Sequence, residues 1–323
     1  MLIVTALGGN AVSLPGKEGN IADQYAATRA ATRPLADLLL AGHQIVITHG
    51  NGPQVGNIMR RVEIAAQHST DRVYPLPLDI AVANTQAGMG SMIAQCIMNE
   101  LAHRGRYQLC STIVTQVRVD EDDPAMQNPT KPIGPYLKKE SAEAHQKRDG
   151  WQIVEEPPRG WRRVVPSPLP KEIMELPTIR ALVEAGQLII AGGGGGIPVV
   201  RDSGGDVRGV EAVIDKDRTS ALLAAELGAD LLAILTNVDQ VQVDYGKPTA
   251  RALDLTTASQ LSRLIADGQF PAGSMGPKVE AAADFARTTG KKAVIGALSD
   301  LSHILKGTAG TQVSMTMTGI AYG

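Results

Sequence analysis

The chain has 323 residues, 43% hydrophobic and 20% charged, with 31 basic against 33 acidic side chains, enough for about two domains with a substantial core at roughly 150 residues each. A net charge of −2 and 3% aromatic residues leave no basic footprint or stacking platform for nucleic acid, and no apolar run reaches the roughly 18 residues of a membrane span. Two cysteines, Cys96 and Cys110, make neither a disulfide framework nor a metal cage, so a reducing compartment is expected.

The first seven residues are short and lack the basic flank of a signal peptide. They read as a strand over 2–7, and the expected class is a cytoplasmic enzyme without membrane or nucleic-acid partners. Gly8-Gly9-Asn10 follows. Residues 22–41 have helical spacing, with a break or kink expected near Pro34. A strand over 44–48 then runs into His49-Gly50-Asn51-Gly52-Pro53 and a helix over 54–67. Another helix is expected over 84–103, carrying Cys96, with Cys110 at the start of a later strand and both thiols in the core. A strand over 188–191 enters five glycines, 192–196. The second half reads as helix 219–227, strand 231–236, helix 257–267, helix 277–288 and strand 293–297. Short β-branched strands alternating with longer helices indicate βαβ units, hence an α/β fold around a mainly parallel sheet. Ligands of such sheets bind at the carboxyl ends of the strands, which is where the glycines cluster.

Residues 118–163 differ in composition. Eighteen of these 46 residues are charged, nearly twice the chain's 20%, and they include six prolines and both tryptophans, Trp151 and Trp161. Such a stretch is either a solvated excursion or a small inserted subdomain lying over a ligand. The second reading is preferred because Lys131 stands among Pro129, Pro132 and Pro135, whose fixed φ angles hold a side chain in one place. The break between halves falls near 170–177.

Glycines at strand–helix turns let backbone N–H groups approach an anion, and the following helix adds its positive end. Glycine also serves plain tight turns, but three clusters in one chain suggest several anionic groups bound together. Neither G-x-x-x-x-G-K-[ST] nor G-x-G-x-x-G is present; Gly50-x-Gly52-x-x-x-Gly56 is a near variant of the second that keeps a dehydrogenase reading open. Three lysines stand in rigid or acidic settings: Lys131, Lys216 between Asp215 and Asp217, and Lys278 after Pro277, at a helix start capped by Ser274 or Gly276. Positive point charges suit phosphoryl transfer, where the charge in flight sits on oxygens. Each also has a plain reading, a surface ion pair for Lys216, a loop lysine for Lys131 and a solvated helix lysine for Lys278. His49 either touches ligand or only bonds its own loop. The acidic residues 120–123 read as a solvated turn, and the histidines show no metal spacing.

Several strings together resemble the carbamate kinases of the amino acid kinase superfamily. They are Ala6-Leu7-Gly8-Gly9-Asn10-Ala11, His49-Gly50-Asn51-Gly52-Pro53-Gln54-Val55-Gly56, Val114-Thr115-Gln116-Val117, the residues 128–135 and 160–165, and Gly193-Gly194-Gly195-Gly196-Ile197-Pro198. Residues 211–217 and 273–280 extend the match, which spans about 2–313. The resemblance implies an αβα sandwich with a small inserted subdomain at about 118–163, usually dimeric. Residues 1–175 would hold the carbamoyl ligand and 176–323 the nucleotide. The implied reaction converts carbamoyl phosphate and ADP to carbamate and ATP, with Mg²⁺ on the nucleotide, in a catabolic route such as arginine or purine breakdown. By similarity Lys131 reaches carbamoyl phosphate, while Lys216 and Lys278 neutralise the group in transfer. Asp217, with Asp215 on the nucleotide side, would orient the lysines or the metal's water shell. Gly8, Gly9, Asn10, Gly50, Asn51, Gly52, Gly194 and Gly195 would cradle the small substrate, and adenine would lie near Asn237, Val238, Asp239 and Met275. No protein ligand for the metal is implied. The chain departs from the family pattern at Thr85-Gln86-Ala87-Gly88-Met89-Gly90-Ser91, at Pro157-Pro158 and at Gln242. Another carboxylate kinase of the superfamily, acting on acetylglutamate or glutamate, and a silent nucleotide-sensing homologue are the alternatives.

Overall fold

The computed structural model describes residues 1–9, 20–270, 275–315 and 321–322. Side chains of a strand alternate between the two faces of its sheet. In the first strand, β1 (Leu2–Leu7), Ile3 and Leu7 enter one hydrophobic cluster while Val4 and Ala6 enter another. Both faces are therefore covered, the condition under which parallel sheets occur.

The chain continues through α1 (Ile21–Leu40), β2 (Gln44–His49), α2 (Gly52–His68), α3 (Leu78–His103), β3 (Cys110–Thr112) and β4 (Gln116–Arg118). Next come β5 (Lys131–Leu137), α4 (Lys139–Asp149), β6 (Gln152–Glu156) and β7 (Gly160–Val165). These are followed by β8 (Glu172–Ile173), α5 (Leu176–Glu184), β9 (Leu188–Ile190), β10 (Ile197–Arg201) and β11 (Val207–Gly209). The remainder holds α6 (Lys216–Glu226), β12 (Leu231–Thr236), β13 (Gln242–Val243), β14 (Arg251–Thr257), α7 (Ala258–Ala266), α8 (Met275–Thr289), β15 (Lys292–Ala297), α9 (Leu301–Leu305), β16 (Thr311–Ser314) and β17 (Ala321–Tyr322).

Among the described residues ten strands form the central sheet, in the order β13-β14-β16-β15-β12-β1-β2-β9-β3 with β17 beside β14. Its middle is parallel: Leu7 of β1 lies opposite Leu235 of β12 and His49 of β2. The turns after β1, β2 and β12 therefore leave at one edge. Leu35, Leu38 and Leu39 of α1, Ile93 and Ile97 of α3, and Leu301 and Ile304 of α9 cover one face. Leu223 of α6 and Val279 and Phe285 of α8 cover the other. This is the αβα sandwich that the resemblance implies. Within the charged stretch, β5, β7 and β6 make a separate antiparallel sheet, the small inserted subdomain, while β4 pairs with β10 and β8 outside it.

Two expectations are corrected. First, the break considered near Pro34 does not occur, since α1 runs through that residue as one helix. Ala27 and Ala31 before the proline and Leu35, Leu38 and Leu39 after it are all buried, and this burial on both sides outweighs the ~3 kcal/mol that a proline costs in a helix interior. Second, the helix expected to begin at 84 begins at Leu78. Its first N–H donates to Glu211 Oε1 at 2.9 Å, a cap supplied from a distant part of the chain that local spacing does not reveal.

Candidate active site

Asp215 caps α6, its side chain accepting from the N–H groups of Asp217 (2.9 Å) and Arg218 (3.4 Å). The helix thus starts at Lys216, three residues before the expected position. Its first turn points inward, leaving Lys216 7% and Asp217 2% exposed, so the surface-ion-pair reading of Lys216 is corrected. Lys216 Nζ reaches over the end of β1 and donates to the Ala6 carbonyl at 3.3 Å. It also lies 2.7 Å from Asp217 Oδ1. Lys278, in the first turn of α8, donates to Asp217 Oδ2 at 2.7 Å. Lys131, the first residue of β5 rather than a loop residue, donates to Asp215 Oδ2. Three lysines from three separate elements converge on two aspartates, leaving one positive charge over.

Burial opposes charge on each member, and the neighbours decide the outcome. It pushes both carboxyls up, but Lys131, Lys278 and Lys216 outweigh it at Asp215, as Lys216 and Lys278 do at Asp217. Both therefore stay below the ordinary aspartate value. Burial brings Lys216 below the ordinary lysine value in spite of Asp217, with Lys278 adding to the fall. For Lys278, burial is overcome by Asp217, and its ammonium is held above the ordinary value. The aspartates are held in their ionised form, and three lysines face two carboxylates at a site of which Asp215, Lys216 and Asp217 are buried and Lys131 and Lys278 half-buried.

The glycine turns surround this cluster as a connected chain of contacts. Gly8 N–H donates to the Leu235 carbonyl at 2.9 Å and Gly50 N–H to the Leu7 carbonyl at 3.0 Å. A Cβ on Gly50 would stand 3.1 Å from Gly9 N. Asn51, 3% exposed, donates through Nδ2 to Thr85 Oγ1 at 2.8 Å, and no side chain caps the start of α2. Gly194 has φ +66, and a Cβ there would meet Asn51 Nδ2 at 2.2 Å; one on Gly195 would meet the Ile214 carbonyl at 2.3 Å. The glycine run is needed for this close packing as well as for any approach to a ligand. Asn10 and Ser274 lie outside the described residues. Asn237, Val238 and Asp239 follow β12 at the same sheet edge, and Met275 opens α8.

Some contributors escape a reading of the sequence. Thr115 Oγ1 accepts from Gly192 N–H at 2.9 Å, and Thr219 Oγ1 donates to the Gly195 carbonyl at 2.7 Å, pinning the glycine run from two sides. Gln86 clamps Thr115 through both its amide atoms, at 3.0 and 2.8 Å. The signals for these were slight: Thr115 stands in one of the resembling strings, and Thr85 and Gln86 in a segment that departs from the family pattern. His49 is fully buried and bonds its own loop at the Gly50 carbonyl through Nδ1, at 3.2 Å.

A parallel sheet with glycine turns and converging lysines at one edge is the architecture of a phosphoryl-transfer enzyme, and the amino acid kinase family model matches residues 1–297. The chain belongs to that family. Within it, the carbamate kinase of Thermococcus kodakarensis is 46% identical over 96% of this chain and 98% of its own length. The carbamate kinase-like protein YahI of Escherichia coli K12 is 43% identical over 98% and 99%. The carbamate kinase of Giardia lamblia, solved bound to AMP-PNP, is 39% identical, with a TM-score of 0.88 over 97% of this chain and 98% of that one.

Proposed function

We propose that this chain is a carbamate kinase, transferring the phosphoryl group reversibly between carbamoyl phosphate and ADP to give ATP and carbamate. The observation that carries the reading is the convergence of Lys131, Lys216 and Lys278 on buried Asp215 and Asp217, in a chain similar over nearly its whole length to carbamate kinases. Carbamate is already an anion and needs no general base. The task is to hold two negative partners in line against their repulsion, by position and charge.

In this reading Lys131 contacts carbamoyl phosphate from the inserted subdomain, and Lys216 and Lys278 face the group in transfer. Asp217 and Asp215 orient the three ammonium groups. Gly8, Gly9, Asn10, Gly50, Asn51, Gly52, Gly194 and Gly195 hold the small anion, while Asn237, Val238, Asp239 and Met275 receive the adenine. Residues 1–175 form the carbamoyl half and 176–323 the nucleotide half. Both carboxylates of the cluster are already engaged by lysines, which fits a metal carried on the nucleotide rather than held by the chain. Mg²⁺ bound to the phosphates supplies further charge neutralisation. A cytoplasmic homodimer running towards ATP in a catabolic route completes the proposal.

The test is ATP formation by purified protein given Mg²⁺-ADP and carbamoyl phosphate, with acetyl phosphate as comparison. Carbamoyl-selective ATP formation is the expected result. Equal use of acetyl phosphate, or no ATP in spite of tight ADP binding, would turn the assignment towards another acid or a regulatory role.

A further inference from the structure

Gly56, in the second turn of α2, and Gly134, inside β5, meet backbone to backbone. A Cβ on Gly56 would stand 1.9 Å from Gly134 Cα and 2.3 Å from Gly134 N. The obstacle is main chain, so no side chain can swing aside to admit it. Gly134 has φ +73, the left-handed region where glycine is favoured. It lies where the pairing of β5 with β7 shifts register between Ile133 and Leu137, so the strand bulges as it passes over the helix. The Gly134 carbonyl accepts from Arg162 Nε at 3.1 Å, which holds the bulge from its other side.

This crossing joins two parts of the site. The helix on its lower side starts at the Gly50-Asn51-Gly52 turn. The strand on its upper side begins at Lys131, three residues before Gly134, with Pro132 stiffening the interval. Ile133 packs beside it against Val55 and Val165. Packing is nevertheless incomplete on one flank: a cavity of about 150 Å³, lined by Gly56, Ile133 and Gly134 themselves, opens towards Met59, Glu63 and Arg163. With a void on that flank, the backbone contact is the hard stop that sets how closely the strand approaches the helix.

We propose that the Gly56–Gly134 crossing is the seat that sets the height of Lys131 over the anion turns. Gly56 is then a positioning residue for phosphoryl transfer, which accounts for the third glycine of the Gly50-x-Gly52-x-x-x-Gly56 spacing without a dinucleotide. The inference rests on the role proposed for Lys131.

Gly56→Ala tests it, since an added methyl group forces the strand outward and a misplacement of ~1 Å costs about 100-fold in rate. The expected result is a fall of about that size in kcat/KM for carbamoyl phosphate, while the Kd for ADP, measured by calorimetry, stays within about twofold. Lys131→Ala should lose a similar factor, and the double variant should lose no more than the worse single variant. Lys131 should also be acylated faster in Gly56→Ala than in the unaltered protein, with Lys278 unchanged, as read by mass spectrometry. That labelling requires no activity. If the unaltered protein made no ATP, the reading of function would fail while the labelling still decided the seat. Where Gly56→Ala does not fold, Gly134→Ala is the second variant: its methyl group would stand an ordinary 3.5 Å from Gly56 Cα, so it disturbs the seat through its φ of +73 alone and should raise Lys131 labelling by less than Gly56→Ala but in the same direction. Unchanged labelling of Lys131, multiplying losses in the double variant, or loss of ADP affinity in step with activity would each overturn the proposal.

Discussion

His49 sits at the turn between β2 and α2 with no exposed surface. Burial lowers its imidazole, outweighing the hydrogen bond to Gly50, and Lys216 nearby adds to the fall, bringing it to about 4. In the unfolded chain it titrates at its ordinary 6.5. Between these values the unfolded state binds more protons, so stability falls as pH falls from about 6.5 to 4. The loss attributable to this one residue is on the order of 3 kcal/mol by pH 4. Denaturant melts of the unaltered protein and His49→Gln across that window should show a shallower pH slope for the variant; parallel slopes would remove His49 as the cause. Asp215 and Asp217 are depressed below 3.8 and lose their stabilising ionisation only at lower pH, so the two effects separate. The residue types of this site were legible in the sequence, because lysines among prolines or aspartates are unusual company. Their pairing was not. Lys131–Asp215 and Lys278–Asp217 join positions 84 and 61 residues apart, and a strand–helix pattern does not state such distances.

The glycine run after β9 has a mechanical reason for its composition. Gly192, Gly194, Gly195 and Gly196 all have positive φ, and a Cβ on Gly196 would strike Val117 Cγ2 at 2.2 Å. The left-handed conformation costs a non-glycine residue about 1–2 kcal/mol, to which the clash with Asn51 adds at Gly194. Gly194→Ala should therefore lower the free energy of unfolding by at least about 1–2 kcal/mol, measured by denaturant titration, and weaken substrate use by displacing Asn51. An unchanged unfolding midpoint would contradict the packing argument. Strand and helix types were readable from apolar spacing and from glycines at the turns. Boundaries were less so where the cap comes from afar, as Glu211 does for α3, or where a short strand such as β4 or β8 exists only through its neighbours.

Across the molecule, the parallel arrangement of β12, β1 and β2 delivers the turns to one sheet edge. The first turn of α6 carries Lys216 over the end of β1, while β5 and α8 bring Lys131 and Lys278 to the same two aspartates. The architecture followed from alternating element types and from resemblance. The inward turn of Lys216 followed only from where α6 begins, since a lysine between two aspartates reads equally well as a solvated pair. In the proposed function this positive excess stabilises the phosphoryl group during transfer, not merely the bound substrates. Such a charge acts mainly in the transition state, so its loss should appear in kcat. The most direct test is the rate of ATP formation from carbamoyl phosphate and Mg²⁺-ADP by the unaltered protein and by Lys278→Ala, with folding checked by circular dichroism. Rapid formation is expected from the first, and a kcat lower by about two to three orders of magnitude from the folded variant. A near-normal kcat in Lys278→Ala would contradict that role.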